Sequence, residues 1–149
     1  MKSVALKAYP RSQVLEAGLA IVAKRRKSAT DVESMAVIGE IKGKNILLVD
    51  DLTETAGTLT EAACLLKKKG AKQILACVSH AILGETGIAR LRKSAIDELI
   101  TTDTVQRPAI DGVNITTLSV AGLLGEAIKR IHSNSSVNSL FEFKGGRTS

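Results

Sequence analysis

Apolar residues in this chain fall into short runs separated by helical patterns. Ile46, Leu47, Leu48 and Val49 form one run and Ile74 to Val78 a second, and Leu99 to Thr101 and Ile115 to Leu118 are read as a third and a fourth short strand. Four consecutive apolar residues suit a parallel strand covered on both faces, which stops where its first charges appear. Asp50 and Asp51 are therefore expected at the carboxyl end of the first strand. Between the runs the period becomes helical. Leu59, Ala62, Ala63 and Leu66 share one face of a helix that opens near Gly57 and ends at Gly70. A short helix is predicted around Ile88 to Arg92, behind a loop framed by Gly84 and Gly87. A longer one carries Leu123, Leu124, Ala127, Ile128 and Ile131 on one face. Strands alternating with helices predict an α/β fold: a doubly wound, mostly parallel sheet with helices on both faces.

The amino-terminal third is less regular. Residues 1–18 carry a weak signal, interrupted by Pro10, and are left unassigned; residues 19–141 are read as one α/β domain and 142–149 as a tail. Leu19 to Ala23 is a short apolar run that ends in Lys24, Arg25, Arg26 and Lys27. Such a charge run is ordinarily a solvated face, although its place after an apolar run also suits a ligand-facing loop. From Val32 to Ile41 the residues Met35, Val37, Ile38 and Ile41 fit a strand or hairpin better than a helix, with turns at Gly39 and Gly43. Lys67, Lys68 and Lys69 close the helix after Gly57, where the helix dipole accounts for them.

Three predicted strands end in polar residues on what should be one sheet edge: Asp50 and Asp51, His80, and Asp103. In open α/β sheets ligands bind in the crevice beyond such ends. A helix opening near Gly57 aims free N–H groups at the preceding turn, and with the hydroxyls of Thr55 and Thr58 these form a candidate anion cradle. The bland alternative is a turn whose carboxylates are solvated and whose threonines cap the helix. His80 is read as a structural hydrogen-bonding residue, and His132 as a dipole-stabilised residue in a last helical turn.

Composition narrows these readings. A length of 149 residues suits one domain with a real core. Aromatic residues are confined to Tyr9, Phe141 and Phe143, which excludes base-stacking platforms for single-stranded nucleic acid. The net charge of +6 fits nucleic acid or a small anionic substrate equally well. Cys64 and Cys77 lack metal-ligand spacing and are read as buried thiols of a reducing compartment. No stretch is long and apolar enough to span a membrane and Met1 to Pro10 lacks a signal-peptide core, so a cytoplasmic location without membrane contact is expected.

The run Val49-Asp50-Asp51-Leu52-Thr53-Glu54-Thr55-Ala56-Gly57-Thr58 resembles the phosphoribosyl-diphosphate signature of type I phosphoribosyltransferases and ribose-phosphate diphosphokinases. The flanks favour the second family. Ala23 to Lys27 resembles its catalytic flexible loop, Ser79 to Leu83 its Thr-His-Gly-Val-Leu stretch, and Thr102-Asp103-Thr104 its Thr-Asp-Thr. Leu118 to His132 is similar to its last long helix, and Ser136 to Phe141 to its carboxyl terminus. The resemblance covers only the second of the family's two similar α/β domains. A Pro-Asp-x-Gly-Gly segment carrying a magnesium-binding aspartate has no counterpart in Tyr9 to Gln13. The chain is therefore expected to be a fragment, a truncated gene or a degenerate paralogue.

The resemblance implies transfer of diphosphate from ATP to ribose 5-phosphate, giving phosphoribosyl diphosphate and AMP, with magnesium on the phosphates in the full enzyme. It implies that Thr55, Ala56, Gly57 and Thr58 hold the 5-phosphate and that Asp50 and Asp51 accept hydrogen bonds from the ribose hydroxyls. Lys24 and Arg26 would close over the reacting diphosphate as catalytic residues. Glu54 belongs to the same ribose 5-phosphate set but stands where the family usually has Asp, which extends the carboxylate by one methylene. Ser136 and Phe141 match a regulatory region. Partners implied are ribose 5-phosphate, ATP, the missing amino-terminal domain and further copies in a homo-oligomer; no metal ligands are evident in this chain. By itself the chain is expected to be inactive. The alternatives are a non-catalytic subunit associating with the full-length synthetase, or a free-standing phosphoribosyltransferase. Nucleic-acid binding ranks last.

Overall fold

The computed structural model describes residues 18, 20–25, 34–106 and 109–141, without the side chains of 23–25 and 34–35. Its strands are β1 (Ile21–Arg25), β2 (Ser34–Ile38), β3 (Asn45–Thr53), β4 (Gln73–Ala81), β5 (Glu98–Thr102) and β6 (Ile115–Leu118). Its helices are α1 (Gly57–Lys68), α2 (Glu85–Arg92) and α3 (Ala121–His132), followed by a 3-10 turn at Asn138–Leu140. Strands β3, β4, β5 and β6 lie side by side in that order, every neighbour parallel. All four carboxyl ends therefore reach the same edge. The predicted parallel α/β sheet is what forms, and β1 and β2 make a separate antiparallel pair.

Local chemistry explains the elements. The four predicted core residues of α1, Leu59, Ala62, Ala63 and Leu66, are its buried residues. Its end is a Schellman motif: Gly70 (φ 88) leaves the helix in the left-handed region, its N–H donating to Lys67 O at 3.0 Å and that of Ala71 to Leu66 O at 3.1 Å. The 32–41 stretch contributes β2, paired with β1 from Ile38 on Ile21 to Ser34 on Arg25. Gly39 (φ 119) and Gly43 (φ 73) sit at the turns that follow. Strand β1 runs two residues beyond the apolar run and takes in Lys24 and Arg25.

The core lies where α1 and α2 cover the sheet. Ile74, Ala76, Val78 and Leu99 cluster there with Leu66 and Leu91. Burying a side chain such as Leu66 or Ile74 contributes about 1.5–3 kcal/mol. Leu75 and Cys77, between the sealed positions of β4, remain half-buried. Cys64 is exposed and Cys77 half-buried, which corrects the expectation of two buried thiols. The reason is positional: Cys64 lies off the apolar stripe of α1, and Cys77 points away from the face that α1 and α2 seal. α3 carries the expected apolar face but buries none of its residues, leaving Ile128 and Ile131 each 67% exposed. No helix among the described residues is long and apolar enough to cross a membrane.

Candidate functional site

The acidic pair stands inside β3 rather than after it. Pairing with β4 continues from Asp50 on Val78 through Leu52 on His80 to Thr53 on Ala81, and the Ile82 N–H donates to Thr53 O at 2.9 Å. Charge does not end the strand, because ladder hydrogen bonds use the backbone, and the last pair, Thr53 on Ala81, is buried. Asp50 is half-buried and Asp51 exposed. Each accepts a hydrogen bond from the next backbone amide, Asp51 N at 2.9 Å and Leu52 N at 3.1 Å.

Beyond Thr53 the chain turns sharply at Ala56, which adopts the left-handed conformation (φ 53, ψ 12) while only 3% exposed. A non-glycine residue there costs about 1–2 kcal/mol and persists only where its surroundings fix it. The Ala56 carbonyl accepts both the Thr60 N–H at 2.9 Å and the Thr60 hydroxyl at 2.8 Å. α1 has no side-chain cap and no acidic residue in its first turn. The first amides of a helix have no intrahelical acceptor, so those of Gly57, Thr58 and Leu59 point toward the turn. Thr55 and Thr58 are exposed and, among the described residues, their hydroxyls have no hydrogen-bond partner, in contrast to the engaged Thr60. The threonines do not cap the helix, as the bland alternative would have them do, which leaves an uncapped helix start with two hydroxyls beside it.

Two residues of α2 complete this turn. A Cβ on Gly87 would lie 2.4 Å from the Glu54 carbonyl oxygen, so α2 approaches the loop as only glycine allows. One helical turn on, Arg90 Nη1 donates to the Thr55 carbonyl at 3.1 Å. The same nitrogen lies 3.0 Å from where a Gly57 Cβ would stand. Sequence reasoning assigned neither residue to the site; the only available signal was their spacing of three on a helix that follows a neighbouring strand.

The other two strand ends meet as expected. His80 Nδ1 lies 2.7 Å from the Thr104 hydroxyl, and the hydroxyl of Thr102 donates to Ser79 O at 2.7 Å. Asp103 accepts from the Ser119 hydroxyl and from the Val120 N–H at 2.9 Å. The Ser119 and Val120 bonds hold its carboxyl below the ordinary range. A cleft of about 600 Å³ opens at this edge, lined by Glu54, Thr55, Ile82, Gly84, Gly87 and Gln106 among others.

The remaining candidates are more dispersed. Lys24 lies in β1, and Arg26 falls outside the described residues. Ser136 is tied to α3, its carbonyl accepting from Arg130 Nη1 at 3.1 Å, and Phe141 is 75% exposed. Magnesium takes oxygen ligands in tight octahedral geometry. Among the described residues no group of three or more His, Cys, Asp or Glu side chains could hold an ion. Asp50 and Asp51, consecutive in a strand, leave it on opposite faces. These residues do not form a magnesium cage, and no step below runs through the metal.

Comparison with known proteins agrees with this architecture. Residues 9–142 match the family model described as phosphoribosyl synthetase-associated domain. Ribose-phosphate pyrophosphokinase of Gloeobacter violaceus is 47% identical over 127 residues, covering 85% of this chain and 38% of that protein. The enzyme of the same name from Campylobacter jejuni is 45% identical over 127 residues, covering 83% and 40%. Phosphoribosylpyrophosphate synthetase from Mycobacterium smegmatis superposes with a TM-score of 0.76 at 30% identity, over 88% of this chain and 42% of its own. The chain thus spans about two fifths of the length of these relatives. With its parallel α/β sheet and this match over most of its length, the chain belongs to the phosphoribosyl synthetase-associated domain family.

Proposed function

We propose that this chain supplies the ribose 5-phosphate-binding part of a ribose-phosphate diphosphokinase. The observation that carries the reading is the uncapped start of α1 at the carboxyl edge of β3. There the amides of Ala56, Gly57, Thr58 and Leu59 and the hydroxyls of Thr55 and Thr58 belong to one turn, which Arg90 contacts. Helix N-terminal amides and a nearby guanidinium suit a phosphate dianion. Asp50 and Asp51, one step back along β3, are charged acceptors suited to ribose hydroxyls. Glu54 reaches the same cleft with a longer side chain than aspartate.

In the complete reaction the anomeric hydroxyl of ribose 5-phosphate attacks the β-phosphorus of ATP, and AMP leaves. Catalysis of such a step is mainly positioning and charge stabilisation. This chain's part is to fix the sugar phosphate; Lys24 and Arg26 are the residues proposed to stabilise charge on the transferred diphosphate. The relatives are more than twice as long, so the reading assigns ATP binding outside this chain. Isolated chain is expected to bind ribose 5-phosphate yet release no AMP from a mixture with ATP. Turnover at an ordinary enzymatic rate would refute that division of labour.

One observation favours a second reading, a non-catalytic subunit of a full-length synthetase. The apolar face of α3 is solvent-facing, with Leu123, Leu124, Ile128 and Ile131 all more than half exposed. Exposed apolar patches mark association surfaces. Co-expression with a full-length synthetase tests it, with co-purification expected and independent elution contradicting it.

A further inference from the structure

We infer that Arg90 is the positioning residue of the phosphate cradle, acting on the peptide unit between Thr55 and Ala56. The inference rests on reading that turn as the phosphate site. The geometry starts from Ala56, whose left-handed backbone is flanked by two peptide units, each held by its carbonyl. Arg90 Nη1 holds the Thr55 carbonyl at 3.1 Å, and Thr60 holds the Ala56 carbonyl through its N–H at 2.9 Å and its hydroxyl at 2.8 Å. No peptide bond among the described residues is cis. In a trans peptide the N–H points opposite to the C=O. Fixing these two carbonyls therefore fixes the directions of the Ala56 and Gly57 amides, the first two donors of the cradle.

Arg90 is placed to do this by the backbone. Gly87 stands one helical turn earlier on the same face of α2 and lets that face close onto Glu54 and Thr55. Without the guanidinium, nothing else among the described residues is seen to hold the Thr55 carbonyl. Arg90 makes one hydrogen bond and no ion pair among the described residues. Its charge is therefore not neutralised by a carboxylate there, and a guanidinium has five N–H donors, of which this contact uses one. Positioning, rather than direct contact with substrate, is the role assigned, because Arg90 engages the carbonyl side of the peptide and the cradle uses the amide side. Lysine is a poorer substitute, since a single ammonium on a flexible stem lacks the planar fork.

The test uses the full chain and the variants Arg90→Met and Arg90→Lys. Calorimetry reports ribose 5-phosphate and inorganic phosphate binding, and amide NMR follows Ala56, Gly57 and, as a distant reference, the residues of α3. Arg90→Met is expected to lower affinity for both ligands by about tenfold or more, with Arg90→Lys intermediate. In the ligand-free protein the Ala56 and Gly57 amide signals should shift while those of α3 stay in place. Wild-type affinity and unshifted amides in a folded Arg90→Met protein overturn the inference while leaving the phosphate reading standing. A wild-type chain that binds neither ligand overturns both. If Arg90→Met does not fold, Arg90→Lys decides through the same two amides: wild-type signals and affinity overturn the role, displaced signals with weakened affinity support it.

Discussion

Replacing Gly87 by alanine separates the packing that shapes the loop from the chemistry of the loop itself. The new Cβ would stand 2.4 Å from Glu54 O and 3.2 Å from Leu83 Cδ2, whereas ordinary contact begins at 3.4 Å. The nearest obstacle is a backbone carbonyl, which cannot swing aside as a side chain can. α2 and the Glu54 loop must therefore separate by about 1 Å, a change of the size that costs about 1–3 kcal/mol in packed structure. Alanine recovers up to about 1 kcal/mol in helix propensity, and less than that in a first turn. The expected net loss is about 1–2 kcal/mol, read as a lower urea midpoint at unchanged slope. The same separation stretches the 3.1 Å Arg90 bond beyond hydrogen-bonding range, so ribose 5-phosphate affinity should fall as well. Gly125→Ala in α3 is the control: nothing lies within 4 Å of its Cβ, and helix propensity predicts a gain of about 1 kcal/mol. A Gly87→Ala protein with the wild-type midpoint and wild-type affinity would refute the claim that α2 sets the loop.

Two further outcomes follow from single groups. Thr101 is 1% exposed in β5 and its hydroxyl has no partner among the described residues, so Thr101→Val, nearly isosteric, should be neutral or stabilising by about 1 kcal/mol in urea denaturation; a loss above that would reveal a partner for the hydroxyl. Asp103 has its carboxyl pKa lowered in the folded state by Ser119 and Val120, so its contribution is complete above the ordinary carboxylate range and is lost as pH falls through the folded value. The stability gap between wild type and Asp103→Asn should therefore narrow on acidification, and a gap that is constant with pH would contradict the coupling.

How much of this was legible in the chain depended on whether the signal was local. The four core positions of α1 and the Gly70 terminus were readable because a helical stripe and a left-handed glycine are local features. The shared edge for Asp50, His80 and Asp103 followed from parallel topology, which alternating strands and helices imply. The end of β3 was misplaced because backbone pairing with β4 through Thr53 and Ala81, which no side-chain pattern encodes, carries the strand past its charges. Arg90 was missed for a related reason: its partner is the backbone carbonyl of Thr55, 35 residues away, and the approach depends on a Cβ that Gly87 lacks. The cysteines were misjudged because an apolar run shows that a residue lies in a strand, not which sheet face a helix covers. Nothing local to Ala56 announced a left-handed residue, since alanine is a poor choice for that conformation and is held there by Thr60 and Arg90.

The central claim is that the turn from Thr55 to Thr58 binds the phosphate of ribose 5-phosphate. Calorimetric titration of ribose 5-phosphate into wild type and Gly57→Val, with unphosphorylated ribose as reference, tests it most directly. A Cβ at position 57 already meets Arg90 Nη1 at 3.0 Å and Thr55 Oγ1 at 3.7 Å, and the branched side chain would occupy the space where the phosphate must approach the amides. The account predicts weak but measurable binding to wild type, none to a folded Gly57→Val, and none of ribose to either. Equal binding by the two proteins, or ribose binding as well as its phosphate does, would contradict it.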